Sequence, residues 1–263
     1  MSYLRLRQIC LTASDLGPSE KSIKDVLGLE ICYRDTGVAK YGLHNALFAM
    51  SGTFLEIVSP TQPDTAAGRY IQRRKGDGGY MYIVDCDDIE RRRDHFKAKG
   101  VRLVQDLKSG DDVSTSEALH LHPKDTGGCL LSVDRHSGGE DMMGGYHWAG
   151  PRWQEHDRSK TVRAITGARM QCEDPHAVAL RWSELLERPL SRDRDVWTFE
   201  LDNARARFSP LEDDRGEGLS AVRLSCKDIP AILAGAKKAG AKIGEVPTGP
   251  FVELVGVRFV LTE

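Results

Sequence analysis

Glu56 sits in the run Phe54-Leu55-Glu56-Ile57-Val58, with an apolar neighbour on either side, and Gln8 begins the set Gln8, Cys10, Thr12 near the amino terminus. Strand alternation sends that set to one face of a sheet and Ile9, Leu11 and Ala13 to the other. A lone buried carboxylate costs several kcal/mol, so Glu56 must meet a metal, a cation or a hydrogen-bond donor, or take up a proton. Acids under that pressure concentrate at functional sites. The plainer alternatives are a wet sheet face, or neutralisation by Arg34 from the same unit. His44, Tyr80 and Tyr82 are further candidates for orienting a substrate and moving its proton, and His120, His122 and Asp134 lie where they could complete a polar pocket. The competing role for His122, in His-Pro-Lys-Asp, is to order a turn.

The elements that must carry these residues form a fourfold repeat. Arg7 to Ile31, Gly79 to Leu103, Gly167 to Leu190 and Leu219 to Ile243 each read as an alternating strand, an acidic turn and a helix. Each then leads into further β-branched runs, giving βαβββ units in an α+β fold. One unit has too little apolar surface for a core of its own, so the four must pair and bury one another's faces. His136 to Lys160 has no helical or strand period and is rich in Gly and charge, which places a connector there and a boundary near Lys160. The expected division is 1–136, a connector 137–160, and 161–263. Tyr146, His147, Trp148 and Trp153 in the connector should pack on a module, as glue between the two or as a lid over a cavity.

The composition excludes several classes. Lys plus Arg at 37 against Asp plus Glu at 39 gives no field for nucleic acid or an anionic membrane, which favours a small-molecule partner. No apolar stretch is long enough to span a membrane, and the amino terminus enters a strand without a signal core, so a cytoplasmic protein is expected. The six cysteines fall singly in strand-like segments and read as reduced core residues. Gly76 to Tyr80 lacks the context of a phosphate loop and reads as a tight turn or bulge, and no nucleophile elbow is present.

The run Gln8 to Leu16, Phe54 to Val58, and above all Leu119 to Asp134 (LHLHPKDTGGCLLSVD) resemble the vicinal oxygen chelate superfamily, in particular its glyoxalase-like members. The resemblance implies two glyoxalase-like modules with cupped mixed sheets. It implies one divalent metal (Mn, Mg, Zn, Ni or Fe), held by a side chain from the first and the last strand of each unit. Those positions fall on Gln8, Glu56, Met81 and Ser132, of which Gln8 and Glu56 match the family's ligand types and Met81 and Ser132 do not. In the second half they fall near Gly167, Phe208, Ala221 and Val260, which carry no metal-binding side chain, leaving that half structural or for recognition. There Arg169, Arg205, Arg207 and Arg223 could clamp a carboxylate or phosphate, or simply form a solvated face.

The implied activity is lyase or isomerase chemistry on a small oxygenated metabolite, with a metal or polar cup stabilising an enolate-like or oxyanion intermediate. Gln8, Glu56, His44 and Tyr80 are the catalytic candidates, and Gln8, Glu56 and His122 the metal candidates. Ring-cleaving oxygenation is disfavoured because two histidines are missing from the cup. The alternatives are a non-catalytic binding protein of the bleomycin-resistance type and a structural module with filled cups. Relatives pair modules between chains, so a homodimer is open.

Overall fold

The computed structural model describes residues 3–110 and 114–263; Asp111 to Val113, within the expected strand region of the second unit, lie outside the described residues. Four acidic residues start the repeat's helices as the pattern predicts. Asp15, Asp88, Asp174 and Asp228 each accept a backbone N–H in the first turn of α1 (Leu16–Leu27), α3 (Ile89–Ala98), α5 (Pro175–Leu186) and α6 (Ile229–Ala239). Two shorter helices, α2 (Ala66–Arg74) and α4 (Pro123–Thr126), were not predicted and lie in the first half.

The strands of the first sheet are β1 (Leu4–Thr12), β2 (Ile31–Tyr33), β3 (Leu43–Met50), β4 (Thr53–Pro60), β5 (Gly78–Cys86), β6 (Leu103–Gly110), β7 (Thr115–Leu121) and β8 (Leu130–His136). They lie in the order β2-β3-β4-β1-β5-β8-β7-β6, so two units meet along the antiparallel β1–β5 seam. The second sheet repeats this order with β9 (Val162–Cys172), β10 (Ser191–Asp193), β11 (Val196–Glu200), β12 (Arg205–Pro210), β13 (Gly218–Cys226), β14 (Lys242–Val246), β15 (Gly249–Leu254) and β16 (Val257–Thr262). Its seam is the antiparallel β9–β13 pair.

Helix-facing residues of both sheets merge into one apolar cluster. Leu6, Ile9, Tyr82 and Val133 from the first sheet and Ala168, Phe208, Val222 and Phe259 from the second all belong to it. Trp182 of α5 is fully buried between the halves, with Tyr82 5.5 Å away and Phe208 5.4 Å away, each edge to face. The backs of the sheets are thereby fastened together, leaving the opposite, concave faces to carry polar groups.

Two breaks in the seam set what the first concave face offers. The ladder passes from Leu6↔Val84 to Gln8↔Ile83, and again from Cys10↔Met81 to Leu11↔Gly79, leaving Arg7 and Tyr80 as the extra residues. A bulge re-aims side chains that strict alternation would send to the other face. Arg7 therefore accompanies Gln8 away from the helix side, and Tyr80 accompanies Met81. The glycine-rich stretch read as a turn or bulge contains this second break.

Candidate functional site

The first sheet curls around a cavity of about 770 Å³. Gln8, Cys10, Glu56, Tyr80, Met81, Ile83, His120 and Asp134 line it, and Tyr146, His147, Trp148 and Trp153 contribute from the segment between β8 and β9. That segment packs on the concave side, where Tyr146 stacks on Phe54 at 4.3 Å and Trp153 meets the same ring edge-on at 5.0 Å. Its aromatics therefore cover the first cup. The mouth is bordered by the 3₁₀ turn Thr36–Tyr41 and by β6, bridged where the Tyr41 hydroxyl donates to Gln105 at 3.0 Å.

Glu56 and Gln8 face the same space. The Gln8 amide nitrogen donates to Glu56 Oε2 at 2.8 Å, and Asn45 Nδ2 donates to Oε1 at 2.7 Å. Burial raises the Glu56 pKa, opposed by the Asn45, Cys10 and Gln8 contacts. Arg34 does not serve as its counter-ion and bonds instead to Glu20 and the Asn45 carbonyl. The phenol of Tyr146 donates to Gln8 Oε1 at 2.8 Å, so the amide is held at both ends.

Asp134 supplies a second acid on the β8 side. Its side chain is buried, accepts from the Trp148 indole N–H at 2.8 Å and from the Ser132 hydroxyl, and is pushed up to about 7 by burial. Asp85 lies next to it in register, held by Arg5 through two bonds, with Arg7 3.6 Å away. Tyr80, half-buried on its bulge, keeps its proton because burial raises its pKa to about 12. His120 faces the cavity as a neutral imidazole, lowered to about 4 by burial and by Lys40.

Other expected residues lie elsewhere. His44 is exposed on the opposite face of β3, and its neighbour Asn45 reaches Glu56 in its place. The continuous apolar run Ala46 to Met50 hides the strand's phase, which is why the sequence did not separate the two. Tyr82 is sealed in the core against Trp182. His122 is not among the cavity residues; its Nδ1 accepts the Lys124 N–H at 3.2 Å at the start of α4, so it orders a turn. Asn45, Tyr146 and Trp148 were absent from the predicted catalytic set. The indole and phenol come from a segment without periodicity, and their aromatic density was the one available signal.

These residues do not fit the metal centre that the resemblance implies. Gln8 turns its nitrogen toward Glu56, Met81 offers a thioether, and the Ser132 hydroxyl is directed to Asp134. Among the described residues, no three His, Cys, Asp or Glu side chains converge to hold a metal ion.

Comparison with known proteins agrees with this architecture. Human mitochondrial methylmalonyl-CoA epimerase is 24% identical over 132 residues, covering 50% of this chain and 73% of that protein. The ethylmalonyl-CoA/methylmalonyl-CoA epimerase of Cereibacter sphaeroides is 21% identical over 131 residues, covering 50% of this chain and 97% of its own. Among solved structures, the Mn(II)-bound glyoxalase from Novosphingobium aromaticivorans superimposes with a TM-score of 0.67 at 14% identity, over 99% of this chain and 82% of that one. A hypothetical protein from Staphylococcus aureus gives the same TM-score of 0.67 at 12% identity, over 98% of both chains. The model of the glyoxalase-like domain matches residues 9–186, more than half of the sequence, and with the paired curled sheets this establishes that the chain belongs to the glyoxalase-like domain family of the vicinal oxygen chelate superfamily.

Proposed function

We propose that the first cup catalyses an isomerase-type proton transfer at a carbon next to a carbonyl group of a small metabolite. The observation that carries this reading is a buried carboxylate, Glu56, clamped by two amide N–H groups, in one cavity with a second acid, Asp134, poised near neutrality. Environments that set two acids at different protonation are how proteins assign acid and base roles at one pH. The Gln8 and Asn45 amides fix the Glu56 carboxylate as the base that takes the proton. Tyr80 and His120 both line the cavity, and Tyr80 is a proton-bearing donor for an enolate oxygen, with the neutral imidazole beside it. Asp134, protonated in part at neutral pH, returns a proton from the β8 wall. Tyr146 and Trp148 exclude water above the reacting carbon, which strengthens each of these interactions.

The test follows deuterium uptake at the α-carbon by proton NMR in D2O. The substrates are methylmalonyl-CoA, suggested by the relatives, and a panel of small α-substituted carbonyl acids. Exchange with at least one of them, lost in Glu56→Gln, is the expected result. Ligand binding without exchange across the panel overturns the proposal in favour of a metabolite-binding protein, a reading that the apolar walls of Val58, Met81, Ile83 and Leu130 would also serve.

A further inference from the structure

The second sheet has its own concave face, and strand register makes it directly comparable with the first. In the first sheet Gln8 lies opposite Phe54, and Cys10 opposite Glu56; in the second, Gly167 lies opposite Arg205, and Arg169 opposite Arg207. Arg207 thus occupies the place of Glu56, whereas Phe208, the residue nearest that place by resemblance, points into the core. On the far side of the seam, Gln8 pairs with Ile83, and Gly167 pairs with Arg223. The acidic cup of the first half is answered by a basic one in the second.

The charges on this face are only partly balanced. Glu212 takes Arg169 at 2.7 Å and also binds Arg258, while Glu200 takes Arg205. Arg207 and Arg223, both half-buried, have no carboxylate partner among the described residues. Arg207 stands directly opposite Arg169 on β9, and Arg223 stands on the other side of that strand, opposite the bare Gly167. Like charges gathered in this way repel, so the arrangement is costly unless an anion lies between them. The guanidinium of Arg207 is lowered to about 10, first by burial and then by Arg223 and Arg205, with Glu200 opposing them only in part. A solvated face would suit lysine equally well; planar forks on the two strands that flank β9 instead match the oxygens of a phosphate. Beside them, Ala221, Phe251 and Val260 form a small apolar cluster, with Val260 directly opposite Arg223.

We propose that the concave face of the second sheet binds a phosphate-bearing small molecule, its phosphate gripped by Arg207 and Arg223 and its organic body lying toward Phe251 and Val260. The inference is independent of the chemistry proposed for the first cup.

Titration calorimetry of the full chain with inorganic phosphate and with phenyl phosphate, against chloride at matched ionic strength, tests it. Both phosphates are expected to bind, phenyl phosphate more tightly. Arg207→Gln and Arg223→Gln, checked for folding by circular dichroism, should each weaken binding about tenfold or more. Arg207→Lys, which keeps the charge but loses the fork, should fall between wild type and Arg207→Gln. Glu56→Gln should bind phosphate normally, which separates this site from the catalytic one. Phosphate heats no larger than those of chloride, or equal affinity in folded Arg207→Gln and Arg223→Gln, would overturn the proposal. So would a face that binds only a single-stranded oligonucleotide, with the steep salt dependence of a polyanion.

Discussion

Glu56 keeps only 8% of its surface exposed yet accepts two amide N–H bonds, so its substitution separates chemistry from packing. Glu56→Gln preserves volume and most of the contacts, and α-proton exchange should drop by about 10²–10⁴-fold while the circular dichroism spectrum stays unchanged. Asp134 carries a second prediction. Burial holds its proton to about pH 7, whereas in the unfolded chain a carboxyl releases it near pH ~3.9. Between these values the folded state binds more protons than the unfolded one, so stability falls as pH rises through the window and stays reduced above it. Melting temperatures measured across that range should decline less in Asp134→Asn than in wild type; parallel curves would show that Asp134 does not titrate there. Glu56 was legible in the sequence because an acid between apolar strand residues demands a partner, and Gln8 through the resemblance of its strand to the family. The partner itself was not, since the choice between His44 and Asn45 depends on the phase of an apolar strand.

At the scale of elements, the β3–β4 hairpin positions the cover of the cup. Ser51 and Gly52 both have positive φ, 46° and 79°, which suits a two-residue turn matched to the twist of the strands. A Cβ on Gly52 would lie 2.1 Å from the Met142 carbonyl oxygen, so the cover rests directly on a bare backbone. Arg7 secures the same point from below, donating to the Gly52 and Met142 carbonyls at 2.7 and 2.6 Å. Gly52→Ala should displace the segment between β8 and β9, lowering stability by about 1–3 kcal/mol. Tryptophan fluorescence should then show Trp148 and Trp153 more exposed to quencher; unchanged quenching would mean the cover does not depend on this contact. The repeated strand and helix units were readable because their periodicity and aspartate caps are local. The docking of the segment was not, because it rests on a glycine that must be bare and an arginine that a bulge redirects, both defined only by pairing.

Over the whole molecule, the two sheets share one apolar cluster and further polar ties. The backbone of β1 binds Asp202 and Asn203 of the second half at 2.8 to 2.9 Å, and Thr53 receives the Ile165 N–H at 3.0 Å. Heat unfolding should therefore be one transition with calorimetric and van't Hoff enthalpies in agreement, and two resolved transitions would count against a common core. Trp182→Ala should cost about 3–5 kcal/mol and lower the melting of both halves together. Long-range contact also decides a local question, for Tyr146 lies 138 residues beyond the Gln8 amide it holds. That single hydroxyl works as a latch: while it grips the amide oxygen, Glu56 sees a hydrogen-bond donor. In Tyr146→Phe the amide is free to swing around and show its oxygen beside the carboxylate, trading a proton-handling pair for one that would welcome a cation.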